Sequence, residues 1–163
     1  PPSRGGQLRR GCALAKAPWV MVLHADTVLQ PGWAEVVRGH VESRRDGAYF
    51  RLAFRAPGVM PRLVAGWANA RAGLLSLPYG DQGLLVPRKM YEKSGGYPDQ
   101  PLMEDVALVR ALPRLVGLPV VAMTGAERYL KQGWIRRGAR NLWTQARYFA
   151  GTDPERLVEG YRR

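Results

Sequence analysis

The chain predicts an α/β fold, a mixed sheet flanked by helices, and three observations carry that expectation. Trp19-Val20-Met21-Val22-Leu23 is a continuous apolar run rich in β-formers, the pattern of a strand covered on both faces. Ala48, Phe50, Leu52 and Phe54 alternate with Tyr49, Arg51 and Arg55, the pattern of a strand with one buried face. Around these runs lie stretches with apolar residues at helical spacing, separated by Pro and Gly. With 163 residues, 46% of them apolar, the chain has the length and composition of one globular domain with a real core.

Ser3 to Lys16 reads as the first helix, with Ser3 as N-cap and Leu8, Cys12 and Ala15 as its apolar stripe. Arg4 and Gln7 stand at its start, where free backbone N–H groups attract anions. They fit either a nucleotide contact or a basic, solvated helix start. The apolar strand that follows ends in His24-Ala25-Asp26-Thr27. That is the carboxyl end of a strand, where open α/β sheets place their ligands. His24 and Asp26 are two apart, so in an extended chain they point to one side. Aimed together, they would hold a divalent cation and, through it, a phosphate. Taken alone, Asp26 is as readily a cap and His24 a packed side chain.

Trp33 to Arg44 is a short helix with Trp33, Val36, Val37 and Val41 on its apolar face. Pro61 to Leu77 is helical by spacing, and its stripe of Leu63, Val64, Trp67, Leu74 and Leu77 is expected to enter the core. Pro78-Tyr79-Gly80-Asp81-Gln82-Gly83 is a turn before the apolar run Leu84-Leu85-Val86. Its glycines let backbone approach a ligand, and Asp81 and Gln82 offer polar groups, although a plain polar loop has the same composition. Arg88 to Ser94 is a helix stopped by Gly95-Gly96. Glu104 and Asp105 fall in the first turn of the next helix, which Pro113 ends or kinks. There they complement the helix dipole or supply a general base. Val116 to Met123 is the last strand.

From Glu127 onward the chain is basic and aromatic, with Arg128, Tyr129, Lys131, Trp134, Arg136, Arg137, Arg140, Trp143 and Arg147. An interfacial amphipathic helix would have this composition. So would a helix that packs its aromatics on the domain and exposes its arginines, and the second arrangement is the expectation.

The formal charge of +12 implies an anionic partner: a nucleotide, a phosphorylated lipid, a nucleic acid or a membrane surface. The arginines are scattered and no nucleic-acid motif is present, so nucleic acid is not expected. A non-catalytic anion or nucleic-acid binder is the rival reading. Cys12 is the sole cysteine, which suits a reducing compartment such as the cytoplasm. No apolar run reaches the roughly 20 residues of a membrane helix, so any membrane contact would be peripheral, at the inner face.

His24-Ala25-Asp26 at a strand end, Gly80-Asp81-Gln82-Gly83 before a strand, Gly95-Gly96-Tyr97-Pro98 and Met103-Glu104-Asp105 together resemble the family-2 glycosyltransferases of the GT-A fold. The likeness covers roughly residues 4 to 150. The wording LHADT, LPYGDQG and PLMEDV is close to a bacterial subgroup, the arsenosugar-biosynthesis or radical-SAM-associated transferases. The resemblance implies metal-dependent, inverting transfer of a sugar from a nucleotide-diphosphate sugar, a UDP-sugar first of all, to an unidentified acceptor hydroxyl. Asp26 matches the last acid of the D-x-D motif that holds Mn²⁺ or Mg²⁺, and His24 stands where its first Asp usually is. Asp105 matches the catalytic base, with Glu104 beside it. Tyr79, Asp81 and Gln82 match the loop near donor sugar and acceptor. Arg4 and Gln7 match the helix start flanking the nucleotide, and Arg128 and Tyr129 the segment over the diphosphate.

The family begins with a βαβ region that builds most of the uridine pocket, and nothing like it precedes Arg4. The expectation is therefore a single partial GT-A domain lacking the first βαβ units. Residues 1–126 would form its core and 127–163 a basic, aromatic helical segment. Such a domain would leave a sheet margin open to homodimerisation or strand exchange. A degenerate transferase relative acting as an interaction module is the further alternative.

Overall fold

The computed structural model describes residues 3–162. Five strands form one mixed sheet: β1 (Trp19–Val22), β2 (Val28–Leu29), β3 (Ala48–Phe54), β4 (Leu84–Pro87) and β5 (Val116–Thr124). Their order is β1-β4-β3-β5-β2. β3 and β5 run parallel and the other pairs antiparallel. Eight helices surround the sheet: α1 (Arg4–Leu14), α2 (Trp33–Ser43), α3 (Val59–Leu75), α4 (Arg88–Lys93), α5 (Glu104–Ala111), α6 (Glu127–Gln132), α7 (Trp134–Phe149) and α8 (Pro154–Arg162). The α/β expectation thus holds in its coarse form.

Strand alternation divides the core between the two faces of the sheet. On one face Val20, Tyr49, Leu84 and Val86 meet Cys12 of α1, Tyr91 of α4 and Leu108 of α5. On the other, Ala48, Phe50, Leu85 and Val120 meet Trp33, Val36, Val37 and Val41 of α2. Phe50 has no exposed surface, and its burial contributes about 1.5–3 kcal/mol by apolar transfer alone.

Three expectations are corrected. β1 lies at the sheet margin and pairs only with β4. Val20 is buried there, but Met21 is 37% exposed, so the strand is not covered on both faces. In α3 the stripe is largely reversed, although Leu77, just beyond the helix, packs against the core. Ala65, Ala68 and Ala72, with Pro61 and Arg71, are the buried residues, while Leu63, Trp67 and Leu74 are 60%, 57% and 82% exposed. The cause is a close approach to β3. The Asn69 amide accepts from the Leu52 N–H at 2.8 Å and donates to its carbonyl at 3.0 Å, a spacing that alanines allow and leucines do not. In α7, likewise, Arg137, Thr144 and Gln145 are buried while Ile135, Leu142 and Trp143 stand in solvent. The aromatic packing expected of this segment is seen at its start, where Tyr129 and Trp134 stack at 4.7 Å and both meet Phe54 edge-on, and at the end of α7, where Arg110 lies over the Phe149 ring at 5.2 Å. No helix among the described residues is long and apolar enough to cross a membrane.

Candidate active site

The site begins with how α1 is anchored. The Ser3 hydroxyl accepts from the Gly6 N–H at 2.9 Å and bonds the Asp99 carboxylate, and the Gly5 N–H donates to the Gln100 carbonyl at 3.0 Å. A side chain at Gly5 would run into the Pro98 carbonyl, so glycine is required for this contact. The anchored helix start brings Arg4 between two elements remote in sequence. Its Nη2 lies 2.6 Å from His24 Nε2, and its Nε 2.9 Å from Glu104 Oε1.

A guanidinium has donors only, so His24 Nε2 is the acceptor and the ring is neutral with its proton on Nδ1. Burial first, and the Arg4 charge next, lower the His24 pKa in agreement with this. The Thr27 N–H donates to the His24 carbonyl at 3.0 Å and turns the chain after β1.

α5 opens on Met103, a non-glycine residue held at φ 61° in the left-handed region, a strained conformation of the kind found at functional sites. It aims the two following carboxylates. Glu104 is 1% exposed. Burial, and then the neighbouring Asp105 charge, raise its carboxyl to about 6. Its approach to Arg4 is an ion pair by distance, while both of its oxygens lack a partner in hydrogen-bond alignment among the described residues. Asp105 is held at both oxygens: Oδ2 accepts from the Gly80 N–H at 2.7 Å and Oδ1 from the Val106 N–H at 2.8 Å.

Residues 80–82 form a short 3-10 turn before β4. A Cβ at Gly80 would lie 2.5 Å from His24 Nε2 and 3.2 Å from Asp105 Oδ2, so this glycine lets the three elements converge. Gln82 has no exposed surface. Its amide reaches the Phe50 carbonyl and the Arg71 guanidinium at 3.4 Å, and Asn69 and the Tyr79 N–H at 3.3 Å. It pins the loop to β3 and α3, which corrects its expected place beside donor and acceptor.

The Arg71 guanidinium lies 3.3 Å over the Tyr79 ring, a cation–π contact. The Tyr79 hydroxyl and Asp81 Oδ1 are sealed from solvent without a hydrogen-bond partner among the described residues. Burial lifts the Asp81 carboxyl to about 6 and the Tyr79 hydroxyl to about 12.

Asp26 is exposed on the turn beyond β1. Its Oδ1 accepts from Thr124 Oγ1 at 3.4 Å, and its carbonyl from Arg55 at 2.9 Å. Just after β5, a Cβ at Gly125 would meet both the Glu127 and the Asp26 carboxylates, so this glycine lets the two acids approach one another.

A single groove of about 980 Å³ joins these groups. Every expected site residue except Gln82 lines it: Arg4, Gln7, His24, Asp26, Tyr79, Asp81, Glu104, Asp105 and Arg128. Phe54, Glu127, Tyr129, Arg137 and Asn141 complete the far wall. Of these only Tyr129 was legible in the sequence, through the resemblance. Glu127 had a usable signal, an acid two residues past a strand-ending glycine.

Among the described residues no three His, Cys, Asp or Glu are grouped to hold a metal ion. The His24 Nε2 lone pair is turned to Arg4, which corrects that nitrogen's expected role as a ligand. The hard oxygens of Asp26 and Glu127 suit Mg²⁺ or Mn²⁺ shared with a diphosphate, an ion that takes one or two carboxylates and completes its shell with phosphate and water. In comparisons with known proteins, no family model, curated protein or solved structure matches the chain.

Proposed function

We propose that this protein is a glycosyltransferase of the GT-A kind, moving a sugar from a nucleotide-diphosphate sugar to an acceptor hydroxyl with inversion. One observation carries the reading: Asp26 and Asp105 line the same groove, flanked by Arg4 and Arg128. The order of the His24-Ala25-Asp26, Gly80-Asp81-Gln82-Gly83 and Met103-Glu104-Asp105 motifs supports it, as does an acid-tipped strand beside an antiparallel neighbour in a mixed sheet.

Asp105 is fixed by two backbone N–H groups, so it is aimed as a general base at a rigid helix start. It takes the acceptor hydroxyl proton as that oxygen attacks the anomeric carbon, while the bond from that carbon to the diphosphate breaks. Arg4 and Arg128 line the groove where the departing charge develops and stabilise it there. A Mn²⁺ or Mg²⁺ ion held by Asp26 and Glu127 would supply further neutralisation of the diphosphate. Neutral His24 orients Arg4, and Gln7 lies one turn along α1 beside the nucleotide. A cytoplasmic site, where sugar nucleotides are made, goes with this reading.

A thermal-shift panel of nucleotide diphosphates and their sugars, with and without Mn²⁺, tests it. A UDP-sugar at a hundredfold its dissociation constant stabilises the fold by about 2.7 kcal/mol, and Asp26→Ala removes the Mn²⁺-dependent part. Asp105→Asn keeps donor binding and lowers transfer by about 10²–10⁴-fold. Binding of RNA that is indifferent to Mn²⁺, or full transfer activity in both variants, overturns the proposal.

A further inference from the structure

The outward faces of α3 and α7 are apolar, and both helices are inverted relative to an ordinary surface helix. On α3, Val59, Leu63 and Trp67 recur at one-turn spacing and Leu74 follows two turns on; they are 69%, 60%, 57% and 82% exposed. On α7, Ile135, Leu142 and Trp143 are 77%, 48% and 67% exposed, while polar Arg137, Thr144 and Gln145 face the domain. The two helices touch each other. Singly exposed apolar residues are ordinary, but stripes on two neighbouring helices mark a surface that is covered in use.

Charge decides what covers it. Neither helix carries an Asp or Glu. Arg62 is exposed next to Leu63, and Arg136 next to Ile135. A second copy would bring two such positive surfaces together, in a chain whose net charge is already +12, and repulsion opposes that. An anionic bilayer complements both features at once. Its headgroups attract the arginines, its acyl boundary takes Leu63, Leu74 and Ile135, and tryptophans such as Trp67 and Trp143 favour the depth between.

We propose that the apolar faces of α3 and α7 seat this protein on an anionic membrane surface, lying on it without spanning it. The proposal does not rest on sugar transfer, since its test uses neither donor nor metal and fails or succeeds apart from that reading.

Sedimentation with phosphatidylcholine vesicles, with and without phosphatidylglycerol, tests it. The protein pellets with the phosphatidylglycerol vesicles, and added salt weakens the binding. The double variant Trp67→Ser/Trp143→Ser loses roughly tenfold or more in partitioning, with its circular dichroism and melting temperature unchanged because both rings stand mostly in solvent. Leu74→Ser, at 82% exposure, weakens binding in the same sense by another route. Failure to pellet with any vesicle overturns the proposal, as does binding that the double variant leaves intact. So does a dimer in vesicle-free light scattering that the double variant dissociates, because a second copy would then be the cover.

Discussion

Arg4 joins His24 to Glu104 across 20 and 100 positions of sequence, and nearby lie two carboxyls, Asp81 and Glu104, whose ionisation burial disfavours. Burial raises Asp81 from 3.8 to about 6 and, with the Asp105 charge, Glu104 from 4.5 to about 6. An acid whose pKa is higher in the folded than in the unfolded state binds its proton more tightly when folded. Its stabilising contribution is complete below about pH 4 and is lost as pH rises through about 6. The stability of Asp81→Asn relative to the natural chain should therefore shift in the variant's favour between pH 4 and pH 7, by up to about 3 kcal/mol. Urea melts at the two pH values measure it, and a pH-independent difference refutes it. Gly80→Ala should lose nucleotide binding, since the new methyl would sit 2.5 Å from His24 Nε2; calorimetric titration with UDP reads the loss. Asp26 and Asp105 were legible in the sequence because a strand end and a helix start are recognisable locally. The inward turn of Gln82 was not, because a rotation within one 3-10 turn separates a groove contact from a buried brace. The pairing of Arg4 with His24 was hidden for another reason: it joins two elements whose docking no local pattern encodes.

At the scale of elements, α5 starts on a strained residue. Glycine adopts the conformation of Met103 without a Cβ penalty, so Met103→Gly should unfold less readily than Met103→Ala, which keeps the Cβ in the left-handed region, by about 1 kcal/mol. Denaturant unfolding measures the change, and the same variant's transfer rate shows whether the strain aims Asp105. For α3 and α7 the sequence period was legible and the direction was not. Spacing announces a stripe; it does not say which side of the helix the sheet will accept. At α3 the alanines and Asn69 determined that, by permitting an approach close enough for two hydrogen bonds to Leu52. At α7 a polar side faces the groove and leaves the apolar side outward.

For the whole molecule, charge sets the terms. Among the described residues the ion pairs are Arg4–Glu104 and Arg88–Glu92, little set against a net charge of +12. Self-repulsion then works against the compact state, so the melting temperature should rise as added salt screens it; a fall in a salt series from low to physiological strength would refute this. The α/β class was legible because strands and helices differ in period. The strand order was not, since β1 pairs with β4 some 65 positions on, and long-range pairing leaves no local trace. The bare flank of β1 has a practical consequence. Trp19–Val22 contains no charge, and on its unpaired side it presents a row of amide and carbonyl groups ready to template another chain. Concentrated stocks should therefore nucleate cross-β fibrils that bind thioflavin. Met21→Lys, which puts an ammonium group on the most exposed rung of the strand, should delay their seeding.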